Sequence, residues 1–571
     1  AKYEITTASG FFYDEAGAQL PGDAGRLSVV GRASLSFDPA IIALKQAEIT
    51  AGDGRKRAGQ GVEIDLAALK LAVIDANTPA PDASWTTLDR DKLNALDASS
   101  LLLGGVRSRE GDTTNVDVVS ESLRVDTTGS TALQGPELLF AAKQDVTVAG
   151  GSTLAASGAS PQRDYAVLGD GAFMRVAGGK QAGLARTGTV TRGSGDLRVE
   201  AGTSVTGQSL IFDATHNNQL DGQLSPGASG GALAIGADRI NIVGDGSTPV
   251  DGLTLDNGAL AAFGSLDQLR LTSYSTLDLY AAASLGSAKV KELVLAAAGV
   301  AGHGTAGDTA TIAGKTVRFE NPNPATASFT PGAALGGGGL NVAAETIVIG
   351  GNATDAMRDA GQVGFALRGF DSVTLNASQE MRFEGSGVTV VDNAGGSGAA
   401  TALNVDTGRI VAVSQSKQLI SSSGTTTITG GTGTAPVNDI GGTLEMRAKS
   451  LDVAGRIEAP SGHLTLSATG TDAGDGVILR DGARLLADGV TVAFADTKAY
   501  GPGGDVALKS AHGNVDVQSG AIVSVSGGEG GDAGQLALMA QEGAVHAAAN
   551  TLRGDASAAK PDLRQGELVV D

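Results

Sequence analysis

Few residues in this chain have the types and spacing that chemistry needs. Gly314-Lys315-Thr316 has the ending of a phosphate-binding loop, but the first glycine of that motif falls at Thr309, and no helical pattern follows. Gly227-Ala228-Ser229-Gly230-Gly231 fits the spacing of a nucleophile elbow, which would present Ser229 as an acyl-transfer nucleophile. That motif requires strand, turn and helix, and the following ALAIGADRINIV reads as strands. The five histidines (His216, His303, His463, His512 and His546) are all more than five residues apart, so no helical zinc pair forms, and they read as solvent-facing or turn residues. Gly527–Asp532 has the look of one calcium-binding nonapeptide, an architecture that needs tandem copies. Arg553-Gly554-Asp555 is an attachment tripeptide that works when displayed on a turn; it is the one candidate adhesion motif. No catalytic residue, metal ligand or cofactor is expected.

The elements that would position these residues follow one rule. Runs of three to five residues, apolar at alternate positions, are separated by Gly, Asn or Asp. Leu444/Met446, Leu451/Val453 and Ile457/Ala459 form one set, and GGTLEMRA is echoed by SGHLTLSA 20 residues later. Val506/Leu508, Val515/Val517 and Ile522 form another, restarted at Leu536/Leu538 after 30 residues. The same grammar runs through Val146/Val148 with Leu154, Leu197/Val199 with Val205, Leu253/Leu255 with Leu260, and Leu340/Val342 with Ile347/Ile349. Period-2 alternation in short runs marks strands with one buried face. A self-similar spacing near 20, with no room for helical crossovers, predicts an all-β parallel β-helix with three short strands per coil.

Composition agrees. Of 571 residues, 85 are glycine, roughly twice ordinary usage, and aromatics are 4%. Glycine suits tight coil corners, and a narrow interior favours Val, Ile, Leu and Ala over large rings. There is no cysteine, which excludes disulfide scaffolds and thiol chemistry. The net charge of −21 argues against nucleic acid as a partner. No apolar stretch reaches the length of a membrane-spanning helix.

Three departures interrupt the grammar. Residues 1–75 read as an irregular start, with Phe11, Phe12 and Tyr13, followed by the first coils. Residues 76–99 read as an excursion in which TTLDRDKLNAL forms a short helix outside the coil. The remainder, 100–571, reads as one rod with side loops near 321–338 and 352–368.

LLLGGVRS (Leu101–Ser108) with ALQGPELLFAAKQDVTVAGGSTLAASG (Ala132–Gly158), and FGSLDQLRLTSYSTLDLYAAASLG (Phe263–Gly286) with its trailing LVLAAAGVAGHG, resemble filamentous-haemagglutinin-like large exoproteins. The resemblance covers roughly residues 100–570 and rests on repeat grammar, not on a catalytic signature. It implies a right-handed β-helix and secretion through the outer membrane by a dedicated partner transporter. It also implies a structural role at the bacterial cell surface in adhesion, biofilm or contact-dependent competition. The family's Asn-Pro-Asn-Gly-like motif belongs to an N-terminal secretion domain; the near match here, Asn321-Pro322-Asn323-Pro324, is mid-chain, so the chain reads as an internal fragment. Two other readings stand beside this one. Side loops could capture a host ligand or cargo. A β-helix polysaccharide enzyme would need clustered carboxylates on adjacent coils, and the outward positions show no evident acidic cluster.

Overall fold

The computed structural model describes residues 24–31, 49–50, 56–57, 61–127, 131–227, 230–244, 251–431, 439–494, 497–556 and 562–571. Phe11, Phe12, Tyr13 and Ser229 lie outside them, as does much of the irregular start. The chain is all-β: strands dominate throughout, and among the described residues the helices are three short ones, α1 (Arg90–Ala95), α2 (Asn257–Ala261) and α3 (Asp355–Asp359). It divides into two compact units at 233/234, a boundary the repeat grammar does not mark.

In the second unit, three faces are each built from parallel strands. On the first, Leu277–Tyr280 pairs with Gly299–Gly302, then Phe365–Arg368, Ser386–Asp392, Lys417–Ser422 and Thr443–Ala448. His463–Ala468, Asp505–Ser510, Gln535–Ala540 and Glu567–Val570 continue it. The second face runs from Ser284–Gly286 to Val545–Ala547, the third from Gln268–Ser273 to Leu552–Arg553. The 20-residue echo is a pairing in register: Leu444 faces Leu464 and Met446 faces Leu466, all buried. The 30-residue echo pairs Val506 with Leu536 in the same way. Each buried Leu or Val contributes about 1.5–3 kcal/mol, so the alternating positions fix the register that a one-residue slip would invert.

The chain visits first, second and third face in turn, with two omissions. Between Thr316–Glu320 and Gly338–Ile349 it skips the first face, whose strands Gly299–Gly302 and Phe365–Arg368 pair directly. Between Thr425–Gly430 and Thr443–Ala448 it skips the third, where Ile410–Ala412 pairs directly with Arg456–Glu458. The second face is visited in every turn.

The first unit departs further from uniform parallel stacking. Its faces include the parallel series Lys70–Ile74, Ser122–Asp126, Asp145–Val148 and Asp196–Val199. Leu154 and Val205 pair in a second series. On the remaining face, Ala172–Ala177 runs antiparallel between Glu137–Ala142 and Ser209–Ala214. The 51 residues separating Asp145 from its partner Asp196 hold that insertion. A separate four-stranded sheet also stands off the faces: the antiparallel hairpin Gly105–Glu110/Thr113–Val118, then Asp164–Leu168 and Leu184–Thr187.

Three local readings are corrected. Leu260 lies in α2, not in a strand, because Asp256 caps the helix by accepting the Ala259 N–H. Within 76–99 only Arg90–Ala95 is helical; Thr86–Asp89 pairs with the strand from Lys70. The loop placed at 352–368 holds α3, but its last four residues, Phe365–Arg368, are a first-face strand.

Candidate functional site

Arg553-Gly554-Asp555 is not on a turn. Arg553 ends the strand Leu552–Arg553, and the backbone runs on along the neighbouring segment. Val525 N–H donates to Arg553 O at 3.0 Å and Gly527 N–H to Asp555 O at 3.0 Å. Gly566 N–H donates to Gly554 O at 2.8 Å, and Asp555 N–H donates to Ser526 Oγ at 3.3 Å. Both charged side chains are exposed, but on a straight backbone pinned from two sides. Asp555→Ala is accordingly expected to leave cell attachment to the immobilised chain unchanged, measured by counting bound cells; a severalfold loss would restore the motif.

The other motifs resolve similarly. Gly314-Lys315-Thr316 is a corner between Thr309–Ala313 and the strand from Thr316. Asp532, in the glycine-rich segment, accepts Arg564 N–H at 2.9 Å and Arg564 Nε–H at 3.1 Å. Those bonds hold its carboxyl below the usual range. Among the described residues no three His, Asp or Glu side chains converge as metal ligands. Each histidine faces a carboxylate: His216–Asp196 at 2.7 Å, His463–Asp505 at 2.9 Å, His512–Glu542 at 2.7 Å and His546–Asp516 at 2.6 Å, all near the surface.

His303 is the exception and corrects the expectation of solvent-facing histidines. In Leu277–Tyr280 the leucines point inward, so Asp278 and Tyr280 point outward, yet all four are buried. The cover is the segment 321–338, which folds back on the first face instead of projecting. Pro322, Pro324 and Pro331 keep it from pairing as a strand. It is fastened by Gly332 N–H to Asp278 Oδ2 (2.6 Å), Arg239 Nη2–H to Thr330 O (3.0 Å) and Thr276 Oγ1–H to Thr330 O (3.1 Å). Gly336 N–H to Gly302 O (2.8 Å) and Gly337 N–H to Gly304 O (2.9 Å) tie down its far end. Phe329 lies under the Arg368 guanidinium, 5.1 Å from ring centre to Cζ. Beneath the strap, His303 Nδ1 is 2.8 Å from Ala334 O and Nε2 is 3.2 Å from Asp278 Oδ2. The imidazole stacks on Tyr280 at 4.4 Å and 15°. Burial, and then the Asp278 charge, push the Tyr280 hydroxyl well above its ordinary value.

The other excursions are fastened too. Asn94 of α1 donates to Ala132 O and accepts Gln134 N–H, both at 2.9 Å, beside an open cavity of about 290 Å³ lined by Leu93, Leu101 and Leu138. Asp355 of α3 pairs with Lys417 at 2.7 Å and accepts from Ser386; both bonds hold its carboxyl below the usual range.

Two charged clusters were not legible from the outward positions. On the third face of the second unit, carboxylates interleave with arginines. Arg270–Glu320 (2.8 Å), Arg318–Glu384 (2.9 Å) and Arg409–Glu380 (2.8 Å) run from rung to rung, and Arg382–Glu380 (3.1 Å) lies within one strand. Burial works to raise the Glu380 carboxyl, but hydrogen bonds from Arg409 and Arg382 win and lower it. A carboxyl lowered on folding stabilises the fold fully above its unfolded range, near 4.3, and loses that contribution as pH falls through its folded value. Glu380→Gln should therefore cost about 1 kcal/mol at neutral pH, and the difference from wild type should vanish in acid, read by urea unfolding across pH.

In the first unit, the stand-off sheet covers a face whose strands EIDLAA, ELLFAA and SLIFDA are buried on both sides. Arg107 from the cover meets Asp65 at 2.6 Å and Ser100 at 2.7 Å. Arg186 meets Asp213 at 2.6 Å. Glu137 accepts from Arg175 Nε (2.7 Å), Tyr165 Oη (2.8 Å) and Ser100 Oγ (2.6 Å), with Glu137 and Arg175 fully buried. Glu63 pairs with Arg109 (2.8 Å) and with Arg163. Burial works to raise its carboxyl, but the Arg163 hydrogen bond and three arginine charges hold it low. The signal in the sequence was the charge set inside an apolar run without alternation.

Among the described residues no helix is long and apolar enough to cross a membrane. Compared with known proteins, the chain matches no family model, no curated sequence and no solved structure.

Proposed function

We propose that the chain is the structural shaft of a secreted or cell-surface exoprotein of the filamentous-haemagglutinin kind. In this reading it is wound as a right-handed parallel β-helix and exported through the outer membrane by a partner transporter. It acts in adhesion, biofilm or contact-dependent interaction by reach and display, not by turnover. The observation that carries the reading is the second unit's three faces, which keep parallel register from rung to rung around an aliphatic interior. Ile240–Val243 and then Leu253–Asp256 continue the first face beyond Leu277–Tyr280, and its twelve strands, at about 4.8 Å per step, give roughly 50 Å of continuous support.

Two further features support it. The clustered carboxylates of the third face are neutralised by arginines, and Glu380 is lowered, whereas a general acid needs a raised carboxyl. Absence of cysteine suits passage of an unfolded chain through a pore, and rung-to-rung contacts let it fold as it emerges.

Deleting residues 443–462 tests the winding. That segment spans one strand of each face and the corner after them, so Lys417–Ser422 would meet His463–Ala468 in the same register. A shortened but soluble chain with an unchanged strand-type circular dichroism spectrum is expected, since rungs contact only their neighbours. Aggregation or an unfolded spectrum would reject the β-helix. For export, co-expression with a partner transporter should place the chain outside the cell; equal release without the transporter would reject that route.

A further inference from the structure

The contacts beneath the 321–338 strap fix where hydrogens sit. Ala334 O can only accept, so His303 Nδ1, 2.8 Å away, carries the hydrogen. In a neutral ring Nε2 is then a bare lone pair. It lies 3.2 Å from Asp278 Oδ2, an oxygen already accepting Gly332 N–H at 2.6 Å, and the two side chains are 3% and 0% exposed. Two unprotonated acceptors this close repel, more so away from water. The closed arrangement is complete only with one more proton between Nε2 and Oδ2. With the strap lifted, Ala334 O is gone, and a neutral ring is free to give its single hydrogen to Asp278.

We propose that the strap is a proton-operated latch, closing over the first face as the His303–Asp278 pair takes up one proton. The groups facing the pair agree. Arg239 Nε is 3.8 Å from Asp278 Oδ2, close enough to balance the carboxylate's charge. An imidazolium stacked on Tyr280 gains from the ring's negative face. Residues 321–338 contain no charged side chain, so the strap brings no competing titration. Nearby Asp308 is bonded to Thr305, and Asp371 to Asn393 and Ser397.

The test is backbone hydrogen exchange of the strap in the full chain, at Gly332, Gly336 and Gly337, from about pH 5.5 to 8.5 and corrected for intrinsic rates. Protection is expected to fall up to tenfold per pH unit where only the closed state holds the proton. His303→Gln is the decisive variant. Asp278 Oδ2 alone meets both Gly332 N–H and the position of Nε2, so the carboxylate is kept and the ring is replaced by an amide whose N–H can donate to it at any pH. The strap of this variant should stay protected at pH 8.5 with no slope. Wild-type protection that ignores pH would overturn the latch, as would a surviving slope in His303→Gln. Exchange in Lys417–Ser422 reports whether the variant is folded. If it is not, His303→Asn takes its place, and a surviving slope in that variant overturns the proposal.

Discussion

Glu137→Gln is expected to destabilise the first unit by about 3–5 kcal/mol, the cost of leaving a buried cation without its counter-ion. Arg175 is fully buried, and its Nη2 already finds no acceptor. Glu137 is its anion and also the acceptor for Tyr165 and Ser100, so one change unpairs several donors. Amide exchange in Glu137–Ala142 and Ala172–Ala177 should rise by two orders of magnitude or more, while the second unit stays unchanged. A loss under 1 kcal/mol would show that the site relaxes or admits water. The double change Glu137→Leu with Arg175→Met should recover most of the stability, because apolar side chains of similar size avoid desolvation altogether. What it should not recover is register. Ala172–Ala177 runs antiparallel between two strands, and Arg175 reaches Glu137 on one and Ser209 on the other. A one-residue slip would turn Arg175 to the opposite face.

Gly504→Ala should cost about 3 kcal/mol, through the backbone itself. Glycines 442, 462, 504 and 534 each precede a first-face strand and stack in one row. A Cβ on Gly504 would stand 1.9 Å from Gly462 O, and one on Gly534 1.8 Å from Gly504 O. The threatened contact includes a rung bond, Asp505 N–H to Gly462 O at 2.9 Å. Exchange should therefore rise together in His463–Ala468, Asp505–Ser510 and Gln535–Ala540. Gly474, with open space around its Cβ position, provides the control; Gly474→Ala should change stability by less than about 0.5 kcal/mol. Equal effects at the two positions would remove the row's structural role.

The rungs were legible because their cause is local. Leu444 and Leu464 carry the same two-residue alternation, and pairing merely brings like beside like. Val146/Val148 and Leu197/Val199 were legible too, although 51 residues separate them, because the strands kept the pattern. The cover sheet was not. Tyr165 and Arg107 are meaningful only once the chain has brought Glu137 and Asp65 beneath them, and their own segments look like ordinary strand and turn. The strap was seen as a break in alternation, but not its destination. Nothing near His303 in the sequence announces Asp278, 25 positions earlier, because the link is made by one rung of stacking. For Arg553-Gly554-Asp555 the sequence shows the tripeptide but not its backbone, which the bonds to Val525, Gly527 and Gly566 set from outside the motif.

The two skipped visits bear on how the second unit would answer a pull on its ends. A rung detached from the edge exposes only the next rung, so the unit should peel in steps. Each 20-residue step pays out about 70 Å of chain. Where the first face is skipped, Ala366 follows its partner Gly299 by 67 positions, and where the third is skipped, Ile457 follows Ile410 by 47, so these steps pay out more length for the same broken bonds. The extra chain length thus serves as stored slack, and a force–extension trace should show longer intervals at these two places.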